Sequence, residues 1–153
     1  KEFHHTAGRE THTVLVTPQG QPFTQKKAKQ LSRREAVLTL ICGRYEGFDE
    51  RIRSLVDEEI SGGDFICLGG ETIAMTMIEA VSRLVPNILG NQESTEQESF
   101  SQSLLEYPQY TRPASYEGMD VPEELISGNH KIIAEWRKEQ ALVRTKKRRP
   151  DLL

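Results

Sequence analysis

The run Ala36-Val37-Leu38-Thr39-Leu40-Ile41-Cys42 is apolar almost without alternation, and its length suits a strand. A strand with one face in water alternates apolar and polar side chains, so this run predicts a strand covered on both faces, as in a parallel sheet. Residues 13–17 and 64–67 are two further β-rich runs, the first of which is stopped by the turn signal Pro18-Gln19-Gly20.

Helical patterns lie between and after these strands. Thr24 is placed to cap a helix in which Ala28 and Leu31 face inward. A second helix is predicted to begin at Glu71 and to end at Pro86. Strand and helix therefore alternate over the first 90 residues, which predicts an α/β fold with a parallel sheet.

The composition limits the class of protein. The chain has 153 residues, of which 36% are hydrophobic and 28% charged, so it fits one compact domain with or without a small appendage. No apolar run approaches the roughly 20 residues that a membrane span needs. Cys42 and Cys67 lie in apolar runs and are predicted to be buried, reduced thiols, as in a cytoplasmic protein. Residues 1–13 are polar and predict a loop with exposed His4, His5 and His12.

The second half of the chain has a different character. Residues 91–99 contain no hydrophobic side chain and predict a linker. Asn129 is placed to cap a helix that continues to about Arg144. Its predicted inward stripe contains Ile132, Ile133, Trp136 and Leu142. We therefore expect a small helical second domain.

Three glycine-containing turns follow the predicted strands: Thr17-Pro18-Gln19-Gly20, residues 42–47 and Leu68-Gly69-Gly70. Ligands collect at the carboxyl ends of parallel strands, and glycine lets the backbone approach a ligand closely. The three turns together predict a nucleotide-like ligand that is bound mainly by backbone groups. Any one of these turns taken alone is better explained as an ordinary tight turn. Neither a dinucleotide-binding fingerprint nor a P-loop occurs.

Several charged residues are candidates for function. Arg83 lies near the end of the second helix, where it points into a cleft or simply into solvent. The linker acids Glu93, Glu96 and Glu98 either solubilise the chain or supply a carboxylate. The net charge is −3, but residues 137–149 contain seven Lys or Arg side chains and one acid. That excess suits phosphate, and a solvated helix face explains it equally well.

One segment identifies a family. Cys42-Gly43-Arg44-Tyr45-Glu46-Gly47-Phe48-Asp49-Glu50-Arg51 closely resembles the signature of bacterial tRNA (guanine-N1)-methyltransferases. The similarity continues through residues 57–65, 69–71 and 80–90, and then through Tyr110-Thr111-Arg112-Pro113, residues 117–122 and 125–130, and Arg148-Arg149-Pro150-Asp151-Leu152-Leu153. It begins at about Val14 and reaches the last residue.

The resemblance implies a SPOUT-class α/β fold, in which a parallel sheet with a deep trefoil knot is followed by a small helical C-terminal domain. It implies a knotted S-adenosylmethionine-binding domain over residues 1–90, an interdomain linker over 91–100 and a tRNA-binding domain over 101–153. The enzyme would be a cytoplasmic homodimer whose active site is shared between subunits, and magnesium dependence is also implied. The family's N-terminal segment has no counterpart here, so we expect a fragment.

Carried over by position, the three turns become the loops that bind the methyl donor. In the first loop Thr17 stands where the family usually has Ser. The residues that the resemblance assigns to the donor are Thr17, Pro18, Gly20, Gly43, Tyr45, Glu46, Ser61, Gly63, Phe65, Cys67, Gly69 and Gly70. Leu68 and Ile73 depart from the usual residues, but most donor contacts there are expected to use the backbone.

The reaction needs a base that takes the proton from N1 of guanine 37 and a cation that stabilises charge at O6. In the family an Asp in the linker and an Arg on the preceding helix fill these roles. Arg83 matches the arginine. Glu98 stands at the aspartate position, with Glu96 as the reserve candidate, so both Glu98 and Arg83 are predicted to be catalytic.

The resemblance also implies a partner for the basic residues at the end of the chain, whose side chains are expected to contact tRNA phosphates. The residues predicted to bind RNA are Arg144, Lys146, Lys147, Arg148 and Arg149. Two alternatives stay open: a related SPOUT enzyme that methylates ribosomal RNA, and a non-catalytic RNA-binding homologue, for which Glu98 in place of Asp is the one indication.

Overall fold

Strand β2, Arg9–Pro22, is the central strand of a small sheet in the computed structural model, which describes residues 5–6, 9–88, 98–100 and 103–153. Strand β3, Val37–Cys42, pairs with β2 in parallel, and β4, Glu58–Ser61, also pairs with β2 in parallel. The short strand β1, His5–Thr6, pairs with the start of β2 in antiparallel orientation. The predicted α/β class with a parallel sheet is therefore confirmed.

The chain divides into an N-terminal unit, Lys1–Gly90, and a C-terminal unit, Asn91–Leu153. In the N-terminal unit, α1 covers Gln25–Ser32 and α2 covers Glu71–Ser82. Thr24 caps α1 through its hydroxyl, which accepts a hydrogen bond from the Lys27 amide, as predicted. Both helices pack against the sheet through the same core, whose buried members are Val14, Val16, Ala28, Leu31, Ile60, Ala74, Met77 and Val81.

The register of β2 on β4 is broken near the end of the strand. Val16 and Gln21 both lie opposite Ile60, so residues 17–20 loop out of the ladder. The strand thus continues beyond Pro18-Gln19-Gly20, where the sequence predicted its end. Pairing with β4 at Ile60 and Ser61 holds the returning chain in the sheet.

Two strand predictions are corrected. β3 is only half-buried along its whole length, because among the described residues it pairs with β2 alone and only Leu38, Leu40 and Cys42 pack against the core. The third strand is Glu58–Ser61 rather than residues 64–67, which form a loop. Gly63, with φ of +148°, turns the chain away from the sheet soon after β4.

The burial of three side chains also differs from expectation. His12 is only 8% exposed, because it lies within β2 rather than in a loop. Cys42 is half-buried and Cys67 is exposed, since the segment around Cys67 is a loop. His4 and the side chain of His5 lie outside the described residues.

In the C-terminal unit, residues 105–111 have no regular secondary structure and precede a hairpin, β5 Ser115–Tyr116 and β6 Met119–Asp120. Helix α3 covers Glu123–Ile126 and α4 covers His130–Arg148. The Asn129 side chain accepts hydrogen bonds from the Lys131 and Ile132 amides, so the predicted cap is confirmed. A short 3₁₀ turn, Pro150–Leu152, follows α4.

The inward face of α4 agrees only in part with the predicted stripe. Ile133 and Trp136 are half-buried, but Ile132 and Leu142 are 42% and 37% exposed, and the buried residues of the helix are Ala141 and Thr145. In the part of the chain that the structure describes, neither α4 nor any other helix has the length and apolar character that a bilayer span requires.

Candidate functional site

Three loops that follow strands of the N-terminal unit meet around a cavity of about 590 Å³. They are residues 17–19 in the break of β2, residues 43–48 after β3 and residues 61–70 after β4. The loops converge because the three strands are parallel and their carboxyl ends reach the same edge of the sheet. This volume lies within the range of small-molecule sites.

The cavity brings together nearly all residues that the resemblance assigned to a donor. Its wall contains Thr17, Pro18, Gly43, Tyr45, Glu46, Ser61, Gly63, Phe65, Cys67, Gly69 and Gly70. Gly20 is not among the described lining residues. A Cβ at Gly20 would overlap the backbone of Glu59 and Ile60, so this glycine serves the contact between two strands.

Other glycines of the wall are closely packed as well. A Cβ at Gly43 would lie 2.5 Å from the Phe48 ring, and one at Gly70 would lie 3.2 Å from the Cα of Cys42. Side chains cannot be added there without movement of the neighbours.

The second and third loops are tied to each other. The Gly70 amide donates to the Gly43 carbonyl at 3.1 Å, and an isolated antiparallel bridge joins Arg44 to Gly69. The Arg44 guanidinium also donates to the Glu71 carboxylate at 2.7 Å. That hydrogen bond lowers the pKa of Glu71, so the carboxylate stays charged at neutral pH. Loop positions far apart in sequence are thus fixed together.

Charge in the wall is mostly paired. Arg53 contacts Glu50 at 2.8 Å and also pairs with Glu59, while it donates to the Gln19 side chain at 2.6 Å. Arg44 is paired with Glu71. Among the described charged residues of the wall, Glu46 is the one without an ion pair. It therefore offers a carboxylate to a cationic group of a ligand.

The rim of the cavity is apolar and open. Tyr45 and Leu68 are each 97% exposed and Ile66 is 81% exposed. Tyr45 adopts a φ of +65°, which is uncommon for a residue with a side chain. Exposed apolar side chains that gather in one place are typical of binding surfaces.

Arg83 and Glu98 lie in different units and are not among the described residues of the cavity wall. Arg83 is half-buried and is the C-cap of α2, which ends at Ser82, four residues before the predicted end at Pro86. Glu98 is half-buried at the start of the described part of the C-terminal unit. Glu93 and Glu96 lie outside the described residues.

The five basic residues at the end of α4 fall into two groups. Arg144 donates to the Glu106 carbonyl at 3.4 Å, and Arg149 forms two hydrogen bonds with the Asp151 carboxylate. The second group is exposed in the last helical turn and pairs with no described residue; it contains Lys146, Lys147 and Arg148. Cations in the last turn also interact favourably with the helix dipole.

Sequence reasoning did not select several residues of the wall. These are Val16, Phe48, Glu50, Arg53, Gly62, Ile66 and Ile73. Four other residues of the wall, Gln19, Arg44, Gly47 and Leu68, lie within the three predicted turns. Most of the residues that were not selected lie between or beside selected ones, so continuity of the loops was the available signal. Arg53 gave no such signal, because its position depends on contacts with Gln19 of β2 and Glu59 of β4. In the described ranges, no cluster of three or more His, Cys, Asp or Glu side chains is arranged to hold a metal ion.

Comparison with known proteins adds a family. All residues, 1–153, match the family described as tRNA (Guanine-1)-methyltransferase TrmD. The tRNA (guanine-N(1)-)-methyltransferase of Syntrophotalea carbinolica is 60% identical over 143 residues, which cover 94% of this chain and 58% of that protein. The protein of the same name from Symbiobacterium thermophilum is 57% identical over 145 residues, which cover 95% and 58%. The chain thus spans a little over half the length of these relatives.

Proposed function

Because this chain belongs to the tRNA (guanine-1)-methyltransferase family, we propose that it transfers a methyl group from S-adenosylmethionine to N1 of guanine 37 in tRNA. The single observation that carries the proposal is the cavity, whose wall unites the loops that the family signature runs through. A tRNA-modifying enzyme of this kind works in the cytoplasm.

The residues of the cavity fit the donor. S-adenosylmethionine, when bound, supplies a methyl group on a positively charged sulfur together with an amino-acid tail and an adenosine. The closely packed Gly43 and Gly70 leave backbone groups to contact the adenosine. Glu46 is the carboxylate available to the cationic tail, and the Tyr45 and Phe65 side chains offer apolar surface.

The finer fold of the family is also part of the proposal. We infer that the loops after β3 and β4 belong to a deep trefoil knot. The hydrogen bond from Gly70 to Gly43 and the bridge between Arg44 and Gly69 support this inference, since they fix the two loops against each other. Residues 1–90 then bind the donor, 91–100 link the domains, and 101–153 form a small helical domain that binds tRNA.

Two side chains are assigned to the chemistry. Glu98 takes the proton from N1 of guanine, which makes this nitrogen a nucleophile. Arg83 stabilises the negative charge that spreads towards O6. Both assignments rest on the resemblance of positions; Glu keeps the carboxylate of the usual Asp and adds one methylene.

The proposal includes two partners, a second copy of this chain and tRNA. The exposed rim at Tyr45, Ile66 and Leu68 supports a homodimer whose second subunit completes the site. Lys146, Lys147 and Arg148 support contact with tRNA phosphates. The described residues offer no ligand set for magnesium, so no step is assigned to a metal.

The deciding experiment is single-turnover methyl transfer to a tRNA that has guanine at positions 36 and 37. We expect Glu98→Gln to lower the rate by about a hundredfold or more, because it keeps the shape but removes the base. Donor affinity should stay within about twofold, since Glu98 is not among the described residues of the cavity wall.

Glu135→Gln on the exposed side of α4 is the matched control and should keep the full rate. Retained turnover in Glu98→Gln would reject Glu98 as the base. A wild-type chain that binds donor and tRNA but transfers no methyl group would be a non-catalytic RNA-binding protein. Transfer to ribosomal RNA alone would support the other SPOUT class.

A further inference from the structure

We propose that the C-terminal end of α4 positions the loop that carries Glu98, with Thr145 and Arg149 as the positioning residues. This role rests on the proposed function, because it affects catalysis only if Glu98 is the base. The contacts between this loop and α4 that support the proposal lie within the C-terminal unit.

Thr145 is the first point of attachment. Its side chain is fully buried, although it lies on a helix rich in charge. The hydroxyl donates to the Ala141 carbonyl at 2.7 Å and accepts from the Leu105 amide at 2.9 Å. A hydroxyl has one proton, so the bond to Ala141 orients its lone pairs towards Leu105. Removal of the oxygen would leave a half-buried amide without its acceptor.

Hydrogen bonds among the described residues 98–100 and 103–106 connect this attachment to Glu98. The Phe100 amide donates to the Leu104 carbonyl at 2.8 Å. The Glu106 amide donates to the Ser99 hydroxyl at 3.0 Å. Ser99 adjoins Glu98, and Glu106 adjoins Leu105. The backbone next to Glu98 is therefore two hydrogen bonds away from Thr145.

Arg149 is the second point of attachment. Its guanidinium lies 5.8 Å from the centroid of the Phe100 ring, within the distance of a cation–π contact. Asp151 accepts from Arg149 Nε and Nη2 at 2.8 and 2.7 Å, and the Arg149 amide donates to the Thr145 carbonyl at 2.8 Å. The planar fork is thus held fixed against the ring. Arg149 is engaged within its own unit, unlike Lys146, Lys147 and Arg148.

The same helical turn therefore bears the cations offered to phosphate and the groups that fix the loop. The experiment measures amide hydrogen exchange at Phe100, Leu105 and Glu106, together with single-turnover methyl transfer at saturating donor and tRNA. We expect Thr145→Val to speed exchange at Leu105 and Glu106 about tenfold and to slow transfer by at least as much, with the donor KM unchanged.

Three further variants complete the test. Thr145→Ser keeps the hydroxyl and should restore exchange and rate to within about twofold. Arg149→Lys keeps the charge but loses the planar fork, so transfer should slow while tRNA affinity stays nearly constant. Thr76→Val removes a similar back-bond within α2, from Thr76 to the Thr72 carbonyl, and should change neither readout.

Wild-type exchange and rate in Thr145→Val would overturn the inference. Faster amide exchange in Thr145→Val with a wild-type transfer rate would also overturn it. Thr145 would then order the loop without any effect on the position of the base. If the wild-type chain transfers no methyl group, the proposed function fails, and unchanged exchange in Thr145→Val would separately show that Thr145 does not hold the loop.

Discussion

Glycine has two different uses beside the cavity. Gly43 and Gly70 lie in the cavity wall, where neighbouring groups already occupy the space of a side chain. Gly20 is used where β2 returns to β4, and its missing Cβ lets the two backbones touch. A glycine pattern in the sequence predicts close approach, but it does not say whether a ligand or a strand approaches.

Gly20→Ala tests this distinction. The added methyl would overlap the Glu59 and Ile60 backbone, which cannot rotate away as a side chain could. We expect the free energy of unfolding to fall by about 1–3 kcal/mol, measured by urea denaturation. Lys26→Ala on the exposed side of α1 is the control and should stay within about 0.5 kcal/mol. If Gly20→Ala left the free energy of unfolding unchanged, the β4 backbone would have to move aside to accommodate the methyl group.

Strand β4 owes its place to partners that lie far away in sequence. Its Glu58 carboxylate accepts from His12 Nε2 on β2 and from Lys27 Nζ on α1, each at 2.7 Å. Burial alone would raise the pKa of Glu58, but the hydrogen bonds from Lys27 and His12 outweigh it and lower the pKa. This cluster joins three elements at the end of the sheet opposite the cavity, since Glu58 is the first residue of β4.

Because the pKa of Glu58 is lower in the folded state, its contribution to stability is complete above the unfolded pKa of about 4.3. It is lost as pH falls through the folded pKa. We expect Glu58→Gln to cost about 2 kcal/mol at pH 7 and progressively less below pH 4. Urea denaturation from pH 7 to 3 measures the difference.

Glu79→Gln is the matched control for that series, since Glu79 is exposed on α2. It should leave the pH dependence of the unfolding free energy as in the wild type. A constant cost of Glu58→Gln at every pH would contradict the assigned cause, because the lost contacts would then not depend on ionisation.

Local signals predicted the helices well and the third strand poorly. Thr24 and Asn129 cap their helices through bonds to residues two or three positions away, so the sequence alone reveals them. β4 begins with two glutamates, which no hydrophobic pattern would place in a sheet. Lys27 and Arg53 pair with these acids from other elements, and such long-range pairs leave no periodic trace.

The cavity was predicted as a set of loops because strand ends and glycine turns are visible in the sequence. The inward face of α4 was predicted only in part, since Ile133 and Trp136 are half-buried but Ile132 and Leu142 are exposed while Thr145 is buried. A buried threonine depends on a distant partner, the Leu105 amide, which local hydrophobicity does not reveal. Interactions between elements thus set the limits of prediction in both units.

At the scale of the whole chain, charge is unevenly distributed. The net charge is −3, yet the last turn of α4 presents Lys146, Lys147 and Arg148, which are exposed and form no ion pair with a described residue. Replacement of all three by Gln should reduce the slope of log Kd for tRNA against log salt by about 2, because each lost phosphate contact removes about 0.7–0.9. Filter binding at several salt concentrations measures the slope.

The double variant Lys26→Gln, Lys29→Gln is the control for this experiment, since both lysines are exposed on α1 and belong to the other unit. Its salt slope should match that of the wild type. An unchanged slope in the triple variant would show that tRNA phosphates are contacted elsewhere.

The break in β2 has a consequence for the length of the first loop. Val16 and Gln21 both lie opposite Ile60, so residues 17–20 leave and rejoin the ladder at one position of β4. An inserted residue would either extend this loop into the cavity or shift the pairing of the returning strand with β4 by one position. Such a shift reverses the face that every later side chain of the strand occupies. The pairing of the sheet therefore restricts the number of residues in this loop as well as the identity of Gly20.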